Sequence, residues 1–372
     1  MEADISIPPL SGIEKLFKKL HPILEIFMPL LITALSFWSI KDFFGSRWDI
    51  GRFTMPAIPF LSNTLAEIMQ VQPNVLLSAI ILFVCALGPL MFYFFVYNLT
   101  KRQLPALLTG LFTILPLNPF STLPPTRIIN ILSGQDGAHM MSLTFIPVAI
   151  LIFLFYVKTG QLKWLITVEV FISFLSLISL FSLFVIFVFM ILITISETLL
   201  GLGKQKLFRF LTVSGVSVVI VGAIYNTFLL SVLSSAEGKS TILVVSNFLP
   251  LLFFLVPVLG TIAFLIFDRR PQLQSVFIAV SLSLVFGLLH FVRISFANVA
   301  LLEQNRYGAE VSLTSAFIWG LIGMSVFDYL RNGQLLAKFP VLYKQRLFTA
   351  FIFITLVIGT LMSSILFISR NI

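Results

Sequence analysis

The chain has 372 residues, 58% of them hydrophobic and only 10% charged, with a mean hydropathy of +1.06 and a formal net charge of +9. A soluble domain carries roughly 25% charged residues, so this composition excludes an ordinary water-soluble fold. The basic residues sit in short clusters between apolar runs and not on one face of a folded unit. That excludes a nucleic-acid surface and matches the bias of cytoplasmic membrane loops.

A membrane-crossing helix needs about 20 mostly apolar residues. On that criterion the chain reads as one all-α integral membrane domain over 1–372, with no soluble domain and about eleven transmembrane helices. They are predicted at 22–40, 75–98, 104–120, 140–157, 164–180, 183–201, 209–229, 244–267, 274–292, 313–330 and 347–368. Lys15, Lys18 and Lys19 precede the first of these. No small-residue cleavage site follows it, and it is longer than a signal-peptide core, so it reads as a retained span. The single cysteine, Cys85, falls in an apolar run and leaves no intramolecular disulfide to form.

The stretch from Trp164 to Gly203 lies between Lys163 and Lys204. As one helix it would run roughly 60 Å, twice the hydrocarbon core, so it is read as two spans joined by a tight turn near 176–182. Charge supports that reading. With an odd number of spans and a cytoplasmic N-terminus, about two thirds of the 24 lysines and arginines fall on the inner side, whereas a single span at 164–203 would leave fewer than half there. The inner loops are then short and basic (TKRQ, KTGQLK, GKQK, DRRPQ), and the C-terminus is external. The longer loops, and hence any chemistry, lie on the outer face of the plasma membrane.

The first outer loop, 41–74, carries Asp42, Asp49 and Glu67, with Arg47 and Arg52 close to Asp49. A carboxylate at this water boundary stays ionised without the cost of entering hydrocarbon; the plainer reading is a solvated loop with an amphipathic stretch lying on the membrane. In the second, 121–139, Pro124 and Pro125 stop the preceding helix, and Arg127, Asp136 and His139 are the ionisable groups; Asp136 is equally placed to cap the next helix. The third, around 291–312, holds His290, Arg293, Glu303, Arg306 and Tyr307. Arg293 and Arg306 have the planar donor forks that bind phosphate, or they snorkel to lipid headgroups. Inside the spans charge is sparse: Glu25, Glu197 and Asp328 are predicted near span ends and Glu169 somewhat deeper. There is no Walker loop, no HExxH and no Cys/His metal cluster.

The order of these features resembles the N-terminal membrane region of GT-C-type glycosyltransferases, and among them the YfhO-like bacterial and archaeal membrane proteins. A first span is followed by a long aspartate-bearing loop and the hairpin CALGPLMFYFFVYNLTKRQLPALLTGLFTILPLNP. Then come a second loop ending SGQDGAH, a span with IPVAI and a pair of short spans. Gly88, Tyr93, the Leu99-Thr100 turn, Leu107, Leu111, Pro116, Gly134, Asp136 and Pro147 carry the likeness, which covers roughly residues 20–200. The resemblance implies a transferase that uses a polyprenyl-phosphate sugar as co-substrate at the outer face, with Asp49 as general base and Asp42 in reserve. Arg127, Arg293 and Arg306 are the cationic candidates for the lipid phosphate, with Asp136 and His139 as further substrate-binding groups. No cofactor is expected, a divalent metal is not indicated, and the partners are membrane lipids, the lipid-linked sugar and a membrane subunit if the chain works in a complex. The sequence also fits a transporter or flippase for a lipid-linked or hydrophobic solute, or a non-catalytic membrane subunit.

Overall fold

The computed structural model describes residues 27–38, 57–114, 137–199, 203–225, 274–295 and 306–332, and every regular element among them is a helix. In chain order these are α1 (Phe27–Trp38), α2 (Ala57–Met69), α3 (Pro73–Ala86), α4 (Gly88–Thr100), α5 (Gln103–Ile114), α6 (Gly137–Thr159), α7 (Leu162–Ile178), α8 (Leu180–Leu199), α9 (Gly203–Tyr225), α10 (Gln274–Ser295) and α11 (Arg306–Asn332). Four stretches, Pro73–Thr100, Gly137–Thr159, Gly203–Tyr225 and Gly308–Val326, are long and apolar enough to cross a bilayer, so the chain is a multi-pass membrane protein. Every span predicted from sequence falls on a described helix except those at 244–267 and 347–368, which lie outside the described residues.

The helices begin and end where the backbone chemistry requires. Between α3 and α4 the chain stays right-handed at Leu87 (φ −76°, ψ −12°), but Pro89 has no amide to give and the Leu87 N–H reaches back to the Val84 carbonyl, 3.1 Å away, and to that of Cys85. The Gly88-Pro89 pair thus kinks one long span and does not divide it into two. Lys101 ends α4 in the left-handed conformation (φ 56°), its amide 2.7 Å from the Tyr97 carbonyl. Ser179 is the one extended residue between α7 and α8 (φ −150°, ψ 121°). Had α8 continued the line of α7, its far end would stand about 55 Å from Leu162 at 1.5 Å per residue. Instead Glu197 lies 3.4 Å from Lys158, just before α7 begins. The chain therefore folds back at Ser179, inside the window where the turn is expected.

Six helices close a ring in the order α4, α6, α8, α10, α11, α5, each packed on the next. Its interior is filled by aromatic and aliphatic side chains: Phe92 and Phe95 of α4 meet Phe317 of α11 edge-on, and Phe189 of α8 meets Phe286 of α10. Without a hydrophobic drive between helices in lipid, close approach depends on small residues. Gly320 supplies it at the α5–α11 seam, where a Cβ would strike Thr109 Oγ1 and stand 2.7 Å from the Pro105 carbonyl oxygen. α7 and α9 lie outside the ring. They expose Leu162, Ile166 and Val170 on one and Phe208, Leu211, Val218 and Val219 on the other, a surface suited to acyl chains.

The contacts also fix which helix ends lie together. Lys158 at the end of α6, Glu197 at the end of α8, Lys206 at the start of α9 and Gln274 at the start of α10 all meet. Gly323 of α11 faces Leu108 of α5, while Trp319, one turn earlier on α11, meets Phe112, one turn later on α5, so the two helices run antiparallel. Glu310, near the start of α11, is at the opposite end of the bundle, with His139 of α6. Thus α5 starts at the Lys158 end, and the loops TKRQ, KTGQLK and GKQK and the start of α10 share one end.

Candidate functional site

At the end opposite the basic loops, α6 opens on Gly137 and α11 on Arg306. His139, in the first turn of α6, points into the protein and is fully buried; its Nε2 stands 2.6 Å from Oε1 of Glu310, which is also fully buried. The contact joins positions 171 apart in sequence. Burying such a pair is costly unless the geometry is good, and a short imidazole–carboxylate contact has that geometry. The other carboxylate oxygen, Oε2, is buried with no hydrogen-bond partner among the described residues. A carboxylate so held has one oxygen committed to the imidazole and one still able to accept a hydrogen bond from a hydroxyl or an ammonium group. Ser142, Thr144, Ser312 and Thr314 are also buried on the same two helices.

Of the residues proposed from sequence, His139 is therefore placed, and its setting differs from that of a loop residue: helix α6 begins two positions before it, so the second loop ends earlier than 139. Arg293 lies in the last turn of α10 and Arg306 is the first residue of α11, so their backbone positions fall at the His139 end. Asp42, Asp49, Arg127 and Asp136 lie outside the described residues. The first loop is not all loop: it contains α2, whose Ser62 Oγ reaches the Pro73 carbonyl at 3.4 Å. The helix turns Phe60, Leu65, Ile68 and Met69 outward with the exposed Glu67, consistent with an amphipathic stretch lying on the membrane. Glu310 was missed from sequence. The only signal was one acidic residue in the apolar string YGAEVSL just before the span predicted at 313–330.

Two further polar centres sit elsewhere. At the basic end, Glu197 is 3% exposed. Its Oε2 accepts from Lys206 Nζ at 2.8 Å and its Oε1 from Gln274 Nε2 at 2.6 Å, while Lys158 stands at 3.4 Å. Beside it Arg209 Nη1 donates to the Val157 carbonyl at 2.6 Å, closing the last turn of α6. Gly160 makes room for that guanidinium: its φ is +69°, and a Cβ there would stand 2.6 Å from the arginine Nη2. Within the α7–α9 interface, Ser217 Oγ donates to Glu169 Oε2 at 2.8 Å. Among the described residues no group of three or more His, Cys, Asp and Glu side chains comes together as a metal site.

No family model matches the chain, and no curated protein matches it in sequence.

Proposed function

We propose that the protein is a membrane glycosyltransferase of the GT-C-like type, with about eleven spans and a cytoplasmic N-terminus. It moves a sugar from a polyprenyl-phosphate donor to an acceptor at the outer membrane face. The observation that carries the reading is the buried His139–Glu310 pair at the end of the bundle away from the basic loops. Since basic loops favour the cytoplasm, that end is read as the outer one, and His139 is the last residue of the SGQDGAH segment of the resemblance.

In this reading Asp49 is the general base, needing only hydrogen-bond reach of the acceptor hydroxyl, and Asp42 is its reserve. As the acceptor oxygen bonds to the anomeric carbon, the sugar–phosphate bond breaks and the lipid phosphate leaves with the electron pair. Arg127, Arg293 and Arg306 supply cationic donors for that charge. Asp136, His139 and Glu310 hold the acceptor side of the site. The test uses purified chain in vesicles with radiolabelled polyprenyl-phosphate hexoses, scoring release of polyprenyl phosphate. Asp49→Asn should abolish release while expression and folding persist. Full release by the combined Asp42→Asn and Asp49→Asn variant would remove the assignment of the base.

A transporter or flippase for a lipid-linked or hydrophobic solute is the second reading. The observation in its favour is Glu169, a buried carboxyl two turns into a lipid-facing helix. Movement of a fluorescent polyprenyl-phosphate analogue across vesicles, with no loss of its sugar, would select it.

A further inference from the structure

Glu169 is the ionisable group set deepest from the ends of α7 and α9, and it takes no part in the site proposed above. Its carboxyl is 5% exposed. One oxygen accepts the Ser217 hydroxyl at 2.8 Å; the other is buried with no hydrogen-bond partner among the described residues. One turn before Ser217, on the same helix, Ser214 Oγ is also buried and also without a hydrogen-bond partner. Ser173 adds a third hydroxyl, spent on the Glu169 backbone carbonyl at 2.7 Å.

Among the described residues no cation answers this carboxylate. The charged and titratable groups on the helices packed around α7 are occupied elsewhere or stand at helix ends. Lys158 of α6 and Lys206 of α9 serve Glu197 of α8, and Arg209 of α9 serves the Val157 carbonyl. Tyr225 of α9 donates to the Ser176 carbonyl at 2.5 Å. Tyr156 is on the last turns of α6, Glu67 is exposed on α2, and Lys163 on α7 itself lies over the ring of Trp164. A carboxylate in hydrocarbon with an open oxygen is expensive and marks a functional position. What it lacks is a compact positive charge that hydroxyl oxygens can help to hold.

We infer that Glu169, Ser217 and Ser214 form a monovalent-cation site in the α7–α9 interface, taken by a proton or a sodium ion. Occupation neutralises the carboxyl and lets the two parallel helices pack with their lipid-facing surfaces intact. An emptied site leaves a bare charge between them. The site therefore links the cation content of the medium to the packing of α7 on α9, whichever reading of the outer face holds.

The test treats the full-length chain in detergent micelles with dicyclohexylcarbodiimide, which adds to a protonated carboxyl in apolar surroundings, and follows the adduct on Glu169 by peptide mass spectrometry. A Glu169 adduct that sodium chloride suppresses relative to choline chloride at constant pH identifies sodium. An adduct that forms equally in both salts identifies the proton. Sodium protection should weaken in Ser217→Ala, a variant that keeps the helix. Melting of the same samples gives an independent readout: in the sodium case Tm rises with sodium and not with choline, and Glu169→Gln loses the response. No adduct at Glu169, together with a Tm indifferent to pH and to sodium in wild type, would overturn the inference and leave a water-filled polar contact.

Discussion

Replacing Glu197 by Gln should be among the most damaging single changes in the described bundle, and the structure says why. The carboxylate side chain is 4% exposed and binds groups from three other helices. Lys206, at 16% exposure, is held by both the Glu197 carboxylate and the Glu197 backbone carbonyl, each at 2.8 Å. With the charge gone, a half-sequestered ammonium keeps the backbone carbonyl and at best a neutral amide oxygen. Breaking a buried pair costs about 3–5 kcal/mol; the lysine's ability to snorkel toward water sets the expectation at the lower limit, about 3 kcal/mol. Lys158, whose side chain is 46% exposed and sits at 3.4 Å, belongs to the other regime. Lys158→Ala should cost no more than about 1 kcal/mol. Because heat unfolding of such a protein is commonly irreversible, the assay is reversible unfolding in mixed micelles by increasing SDS fraction. Combining Glu197→Gln with Lys206→Met should cost less than the two singles added together. Equal costs for Lys158→Ala and Glu197→Gln, or strict additivity in the pair, would refute the reasoning.

Two further outcomes follow from the same packing and a third from the proposed chemistry. His139→Ala removes the hydrogen-bond partner that the fully buried Glu310 has among the described residues and should lower stability by about 3 kcal/mol. The double change to His139→Leu with Glu310→Met should recover much of that loss; SDS unfolding of the three variants checks both. Gly320→Leu forces its side chain into Thr109 and the Pro105 carbonyl, and should cost at least about 1–3 kcal/mol by overpacking. A neutral result there would mean that α5 and α11 are not in contact at that seam. In the activity assay, loss of polyprenyl-phosphate release in Asp49→Asn with an unchanged unfolding curve separates a chemical role from a structural one.

The all-helical membrane architecture was readable because apolar length is a strong, local signal, and so was the chain reversal near 179, since no single helix of that length fits a bilayer. The convergence of the basic loops was likewise recoverable: the positive-inside bias placed Lys158 and Lys206 on one side, and Glu197 now brings them together. Helix ends were less accessible. Gly137 starts α6 earlier than the apolar count implied, since Gly, Ala and His are weak hydropathy signals but are acceptable in a buried first turn. The partner of His139 was not accessible at all. The pair joins positions 171 apart in sequence, and pairing at that distance leaves no trace in periodicity or spacing. The greater depth of Glu169 is legible in the sequence, but its Ser217 partner on α9 only becomes meaningful once α7 and α9 run parallel.

The proposed chemistry requires one orientation of the bundle: basic loops inside, and the His139–Glu310 end outside. Single cysteines placed at the exposed positions Lys101, Lys204 and Glu67, in a chain whose buried Cys85 is replaced by Ala, test it in right-side-out vesicles with a membrane-impermeant maleimide. The expected result is labelling at 67 in intact vesicles, and at 101 and 204 only after permeabilisation. Labelling at 101 and 204 in intact vesicles, with 67 protected, would invert the topology and remove the proposed chemistry from the outer face.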